Sequence, residues 1–124
     1  MKTLVMAAAA AAFLGAPGLA AASDDPAAGA WKVNGHVDGK DFVVSCHFER
    51  HGGGLGGACF DGGTNLKHPL ISGAVSGDQV KWTYQSHWTL IKFDVLYSGT
   101  LAGGAMRGTV SASGHVGSFT ATKE

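Results

Sequence analysis

Apolar and polar residues alternate from Ala30 to Lys123 in runs of about eight residues. The runs break at glycine-bearing turns such as Asp38-Gly39, Gly77-Asp78, Gly103-Gly104 and Ser113-Gly114. Alternation with period two puts every second side chain on one face of an extended strand, and this turn spacing belongs to all-β sandwiches and barrels. The pattern predicts an all-β, antiparallel up-and-down meander of about eight strands closing into a small barrel.

Residues equidistant from a hairpin turn face each other and share one side of the sheet, so the apolar sets of two strands must match about each turn. Around Asp38-Gly39, Gly35 falls opposite Phe42, Val33 opposite Val44 and Trp31 opposite Cys46. Around Gly77-Asp78, Val75 meets Val80, Gly73 meets Trp82 and Ile71 meets Tyr84. A turn over Gln85 to Trp88 would set Tyr84 against Thr89, Trp82 against Ile91 and Val80 against Phe93. Around Gly103-Gly104, Tyr97 meets Val110; around Ser113-Gly114, Ala112 meets His115 and Gly108 meets Phe119. One apolar face therefore runs through every hairpin, while Lys32, Asn34, Lys81, Thr83, Lys92, Asp94, Arg107 and Thr109 occupy the other. Inward glycines at 35, 73 and 108, each opposite an aromatic residue, leave room for a ring in a tightly coiled sheet.

Residues 1–22 read as a secretory signal: Met1-Lys2, an apolar run from Leu4 to Ala16, then the small residues Ala20-Ala21-Ala22. The run is too short to span a bilayer, and no cysteine follows it to carry a lipid anchor. Residues 23–29 are polar and rich in breakers, a flexible arm ahead of a single barrel domain, residues 30–124. Without Lys2 the chain has 9 − 1 = 8 basic and 9 acidic residues, a net charge of −1. That balance attracts neither nucleic acid nor an anionic membrane. The strands are near the lower length limit for outer-membrane barrels and glycine-rich on their apolar side, so no membrane insertion is expected. The location expected is periplasmic or secreted.

Cys46 and Cys59 lie equidistant from the centre of the turn in the run His51-Gly52-Gly53-Gly54, which places them face to face on adjacent strands. In an exported chain with two cysteines, that arrangement predicts a disulfide. The six histidines do not converge. His47 and His51 would be roughly 13 Å apart along a strand. His36 faces outward, His68 lies in the connection from Asn65 to Pro69, and His87 is in a turn, so no metal and no cofactor is expected. His115 points inward at a barrel end, as either a rim residue or a polar contact for a ligand. Trp88, at a turn tip, is either a partner contact or a rim residue. Neither a G-x-S-x-G elbow nor H-E-x-x-H nor paired carboxylates on one strand face occurs, and no catalytic residue is expected.

Gly29-Ala30-Trp31 opens the first strand, and this G-x-W start resembles that of lipocalin-like and avidin-like (calycin-type) barrels, in which the tryptophan plugs one end. The chain lacks their Thr-Asp-Tyr turn and biotin-site pattern, so no ligand residue carries over. Gly29, Trp31, the cysteine pair and the arm Ser23 to Ala28 are also similar to bacterial periplasmic metalloprotease inhibitors, whose arm plugs the protease. Gly77-Asp78-Gln79-Val80 and Gly117-Ser118-Phe119-Thr120-Ala121 resemble repeats of small, uncharacterised exported bacterial β proteins.

The inward aromatic residues Trp31, Phe42, Phe48, Trp82, Tyr84, Phe93, Tyr97 and Phe119 either fill the barrel or enclose one small ligand. In the ligand reading, Trp31, Phe42, Trp82 and Phe93 supply the apolar wall while Tyr84, Tyr97 and His115 supply polar contacts near an open end. The expectation is a non-enzymatic barrel binding a small apolar ligand. The alternative is an inhibitor-like module that meets a protein partner through its arm and loops.

Overall fold

A computed structural model describes residues 25–124. The expected signal segment, residues 1–22, lies outside the described residues, as do Ser23 and Asp24. Eight antiparallel strands follow in sequence order: β1 (Gly29–Val37), β2 (Lys40–His51), β3 (Gly54–Asp61), β4 (Lys67–Ser76), β5 (Gln79–Trp88), β6 (Ile91–Ala102), β7 (Ala105–Ala112) and β8 (His115–Lys123). Each pairs with its neighbour, and β8 returns to pair with β1, closing the barrel. Closure leaves no unpaired sheet edge. Among the described residues no helix is long and apolar enough to cross a membrane.

The turns set this register. Asp38-Gly39 and Ser113-Gly114 have positive φ at both residues, 53° and 76° in the first and 52° and 82° in the second. That geometry twists with the flanking strands. The pairings across them are Val33 to Val44, Gly35 to Phe42, Ala112 to His115 and Gly108 to Phe119, as the sequence predicts. Tyr97 to Val110 across Gly103-Gly104 also agrees.

Two expectations are corrected. The β5–β6 hairpin turns at Thr89-Leu90 rather than over Gln85 to Trp88, so Tyr84 faces Val95, Trp82 faces Tyr97 and Val80 faces Gly99. The displacement is even, so the same side chains still point inward. In β4 the register shifts between Leu70 and Ser72, placing Leu70 rather than Ile71 opposite Tyr84. An extra residue in one strand reverses the facing of everything beyond it. Ile71 is thus 59% exposed, and His68, expected in a connection, is inside the barrel at 4%.

The glycines divide by what they meet. A Cβ on Gly35 would lie 2.1 Å from the tip of the Phe42 ring, so this glycine does make room for its facing aromatic residue. At Gly73 the obstacle is the Leu55 carbonyl oxygen, 2.3 Å away, and not Trp82. At Gly108 it is the Ser98 carbonyl, while the Phe119 ring lies over Gly99. Backbone crowding, as much as ring packing, keeps these positions bare.

One end of the barrel is sealed. Trp31 is fully buried there, and its indole N–H donates to the Ala27 carbonyl at 2.9 Å. The Lys123 ammonium stands 5.9 Å from the ring centre and donates to the Asp25 carbonyl. Asp25 accepts from the Ala27 and Ala28 amides and pairs with Arg50 at 3.2 Å. The expected flexible arm is therefore pinned over its described part, because Asp25 to Ala28 close the end that Trp31 plugs. The Cys46–Cys59 disulfide joins β2 to β3, with both residues fully buried.

Candidate functional site

Above the plug the interior is packed with rings. Trp82 stacks on Tyr97 with ring centres 4.6 Å apart, and Phe48 and Phe119 meet Trp82 at 4.9 and 5.4 Å. Offset and edge-on contacts of this kind add about 1 kcal/mol per pair beyond burial. This layer is a floor. It stops at Tyr84 and Val95, which line the open space beyond it.

What remains is a cup of about 590 Å³. Its apolar wall is Val37, Phe42, Val44, Phe93, Val95 and Ala112; Tyr84 and Ser86 line it from β5. The mouth is bordered by Lys40, Asp41 and the β3–β4 loop from Asp61 to Thr64. That loop is held by main-chain bonds within itself and to β2: the Asn65 amide donates to the Asp61 carbonyl at 2.8 Å, and the Gly62 amide to the Val43 carbonyl at 2.9 Å.

The polar groups of the floor are few. The hydroxyls of Tyr84 and Tyr97 are 2.8 Å apart, and both residues are nearly inaccessible. Burial is the main cause raising the Tyr84 phenol to about 12, reinforced by the negative charge of Asp61 and opposed by the Tyr97 hydrogen bond. Burial also pushes the Tyr97 phenol far above its ordinary value, helped by Tyr84 and Asp61. Both are therefore neutral hydroxyls throughout the physiological range. His68 stacks on Tyr84 with ring centres 4.9 Å apart. Its Nδ1 lies 3.2 Å from the Gln85 carbonyl oxygen, which can only accept. Its Nε2 is 3.0 Å from Asp61 Oδ1 but off the hydrogen-bond direction.

The seven residues expected to touch a ligand do not come together as one set. Phe42, Tyr84 and Phe93 line the cup. Trp82 and Tyr97 belong to the packed floor, with Tyr97 reaching the cup only through Tyr84. Trp31 is the plug at the far end. His115 does not point inward: its side chain is 60% exposed and its Nδ1 meets Asp38 Oδ2 at 2.7 Å. At the last rung of a barrel, inward-facing parity no longer means burial, and the adjacent turn offers a carboxylate. Among the described residues no cluster of three or more histidine, cysteine or acidic residues can hold a metal.

His68 and the Asp61–Thr64 loop are the parts of the site that sequence reasoning missed. The only signal for His68 was its place at the head of an alternating run, which the bulge then reverses. Trp88, Leu90 and Ile91 stand at the tip of β5–β6, 76%, 97% and 64% exposed, at the same end as the mouth.

No family model matches this chain, and no curated protein or solved structure is significantly similar to it.

Proposed function

We infer that this chain is an exported, non-catalytic binding protein that takes one small apolar ligand into the open end of its barrel. The observation that carries the reading is the asymmetry of the interior. One end is sealed by Trp31, Ala27 and Lys123, while the other holds a cup of about 590 Å³ with mainly apolar walls. That volume is within the range of small-molecule sites. Export is supported by the signal-like pattern of residues 1–22 and by the disulfide, which persists in oxidising compartments. The G-x-W plug and the closed eight-strand meander are also how the resemblance to lipocalin-like and avidin-like barrels is to be understood: a shared way of making a cup, with a ligand specific to this chain.

The inhibitor-like alternative draws no support from Asp25 to Ala28. In this chain those residues hold Arg50, Lys123 and Trp31 at the sealed end, so they are not free to enter a protease.

The test is native mass spectrometry of protein purified without denaturation, together with titration by a neutral apolar fluorophore, N-phenyl-naphthylamine. A small-molecule adduct or saturable fluorescence enhancement, lost when Ala112→Trp fills the cup, is the expected result. Absence of both adduct and enhancement would overturn the reading.

A further inference from the structure

The tyrosine pair is a polar feature at the floor of the cup, and its hydrogens can be counted. Two phenols carry two hydroxyl hydrogens, and one of them is taken up by the bond between Tyr84 and Tyr97. Among the described residues neither hydroxyl makes any other hydrogen bond. If Tyr84 donated to Tyr97, the Tyr97 hydrogen would be stranded in the packed floor, where an unpaired buried donor is unfavourable. If Tyr97 donates to Tyr84, the remaining hydrogen belongs to Tyr84, which lines the cup. The second arrangement strands neither phenol hydrogen, and it leaves the Tyr84 O–H as a donor at the floor of the cup; the other unpartnered donor of the floor, the Trp82 indole N–H, is buried in the ring packing and does not line the cup.

The charges around the cup restrict what that donor can meet. Asp61 lines the same cavity, and a ligand carboxylate beside it would be repelled. The cavity's one lysine, Lys40, is exposed at the β1–β2 turn. Arg50 and Lys123 belong to the sealed end. His68 has both ring nitrogens turned to groups of its own, the Gln85 carbonyl and Asp61. An anion at the floor therefore finds no cation, whereas a neutral acceptor finds a hydroxyl.

We propose that the cup selects ligands with a compact apolar body and one neutral hydrogen-bond acceptor, a ketone, ester or amide carbonyl, which enters first and accepts from the Tyr84 hydroxyl. This rests on the cup being a ligand site, and it adds the class of ligand and its orientation.

Three naphthalenes substituted at the same ring position separate the two claims: acetylnaphthalene, ethylnaphthalene and naphthoate, titrated calorimetrically into the wild-type protein and Tyr84→Phe. The ketone should bind about tenfold more tightly than the hydrocarbon and the carboxylate, the worth of one buried hydrogen bond. Tyr84→Phe should bring the ketone-to-hydrocarbon ratio to about one. Equal wild-type affinity for ketone and hydrocarbon, preference for the carboxylate, or a ratio retained in Tyr84→Phe would overturn the acceptor claim and leave the cup standing. Binding of none of the three would overturn both. Should Tyr84→Phe fail to fold, the infrared carbonyl stretch of the ketone bound to wild-type protein decides. A frequency below its value in hexane supports the hydrogen bond, and an unshifted band overturns it.

Discussion

Tyr84 and Tyr97 form a hydroxyl pair 2.8 Å across, one member lining the cup and the other sunk in the ring-packed floor. They are the chain's two tyrosines, so the phenolate absorbance of the whole protein reports on this pair alone. The folded Tyr84 is raised to about 12 and Tyr97 is raised further. A raised folded pKa gives stability that is fully present below the unfolded value, near 10, and is lost as pH rises through the folded value. The native protein should show no phenolate signal at pH 10, where an unfolded chain is about half ionised. Above that the signal should appear together with loss of near-ultraviolet circular dichroism. A reversible titration midpoint near 10 in a still-folded protein would contradict the buried pair.

Gly35 and Gly73 look equivalent in sequence, each facing an aromatic residue across a hairpin, yet they should respond differently to alanine. At Gly35 the new methyl meets the end of the Phe42 ring, which is half-buried and borders the open cup. The ring can swing toward that space, so Gly35→Ala should cost about 1 kcal/mol in stability while weakening binding of a neutral apolar probe. At Gly73 the methyl meets a main-chain carbonyl, and relief requires moving a strand. Gly73→Ala should cost about 3 kcal/mol. Urea unfolding and probe titration of both variants check the contrast, which fails if Gly35→Ala is the less stable of the two.

The sequence made the barrel legible wherever a turn carried its own chemistry. Asp38-Gly39 and Ser113-Gly114 can adopt positive φ at both positions, and the facing pairs follow from them by counting. Thr89-Leu90 has no such signature, whereas the polar run before it imitates a turn, so β5–β6 is displaced by 95 − 89 = 6 residues opposite Tyr84. An even slip keeps the inward set, which is why Phe93 faces inward even though its partner was misassigned. The β4 bulge is an odd slip that alternation cannot reveal, and it is what brings His68 against Tyr84. Sealing of one end depended on Asp25 and Lys123, 98 residues apart, a closeness no local pattern encodes.

The disulfide ties two strands already paired at Cys46 and Cys59, 13 residues apart in sequence. Its effect is to restrict the unfolded chain, and a loop of this size contributes about 3 kcal/mol. The hairpin it spans includes Gly52-Gly53-Gly54 and has little to replace it. Replacing both cysteines by serine should lower the melting temperature and raise amide exchange first in β2 and β3. An unchanged melting temperature would show that strand pairing alone suffices.

The sealed end provides an acid-side test. Burial raises the Asp25 carboxyl, but the Ala27 and Ala28 amides and the Arg50 guanidinium together outweigh it and hold the group below its usual 3.8. A depressed folded pKa gives stability that is present above the unfolded value and lost as pH falls through the folded one. Asp25→Asn keeps the side-chain shape and a carbonyl for the two amides but removes the charge. At neutral pH it should be less stable than wild type by about 1 kcal/mol, since the ion pair is partly solvated and one acceptor oxygen is lost. As pH falls below about 4 the wild-type carboxyl takes up its proton and the two proteins should converge. Because Asp25 and Lys123 close the end that Trp31 plugs, the variant should also raise the fluorescence quenching of Trp31 by acrylamide, read in a Trp82→Phe/Trp88→Phe background. A stability difference that persists unchanged to pH 2 would assign the effect of Asp25 to its shape and not its charge.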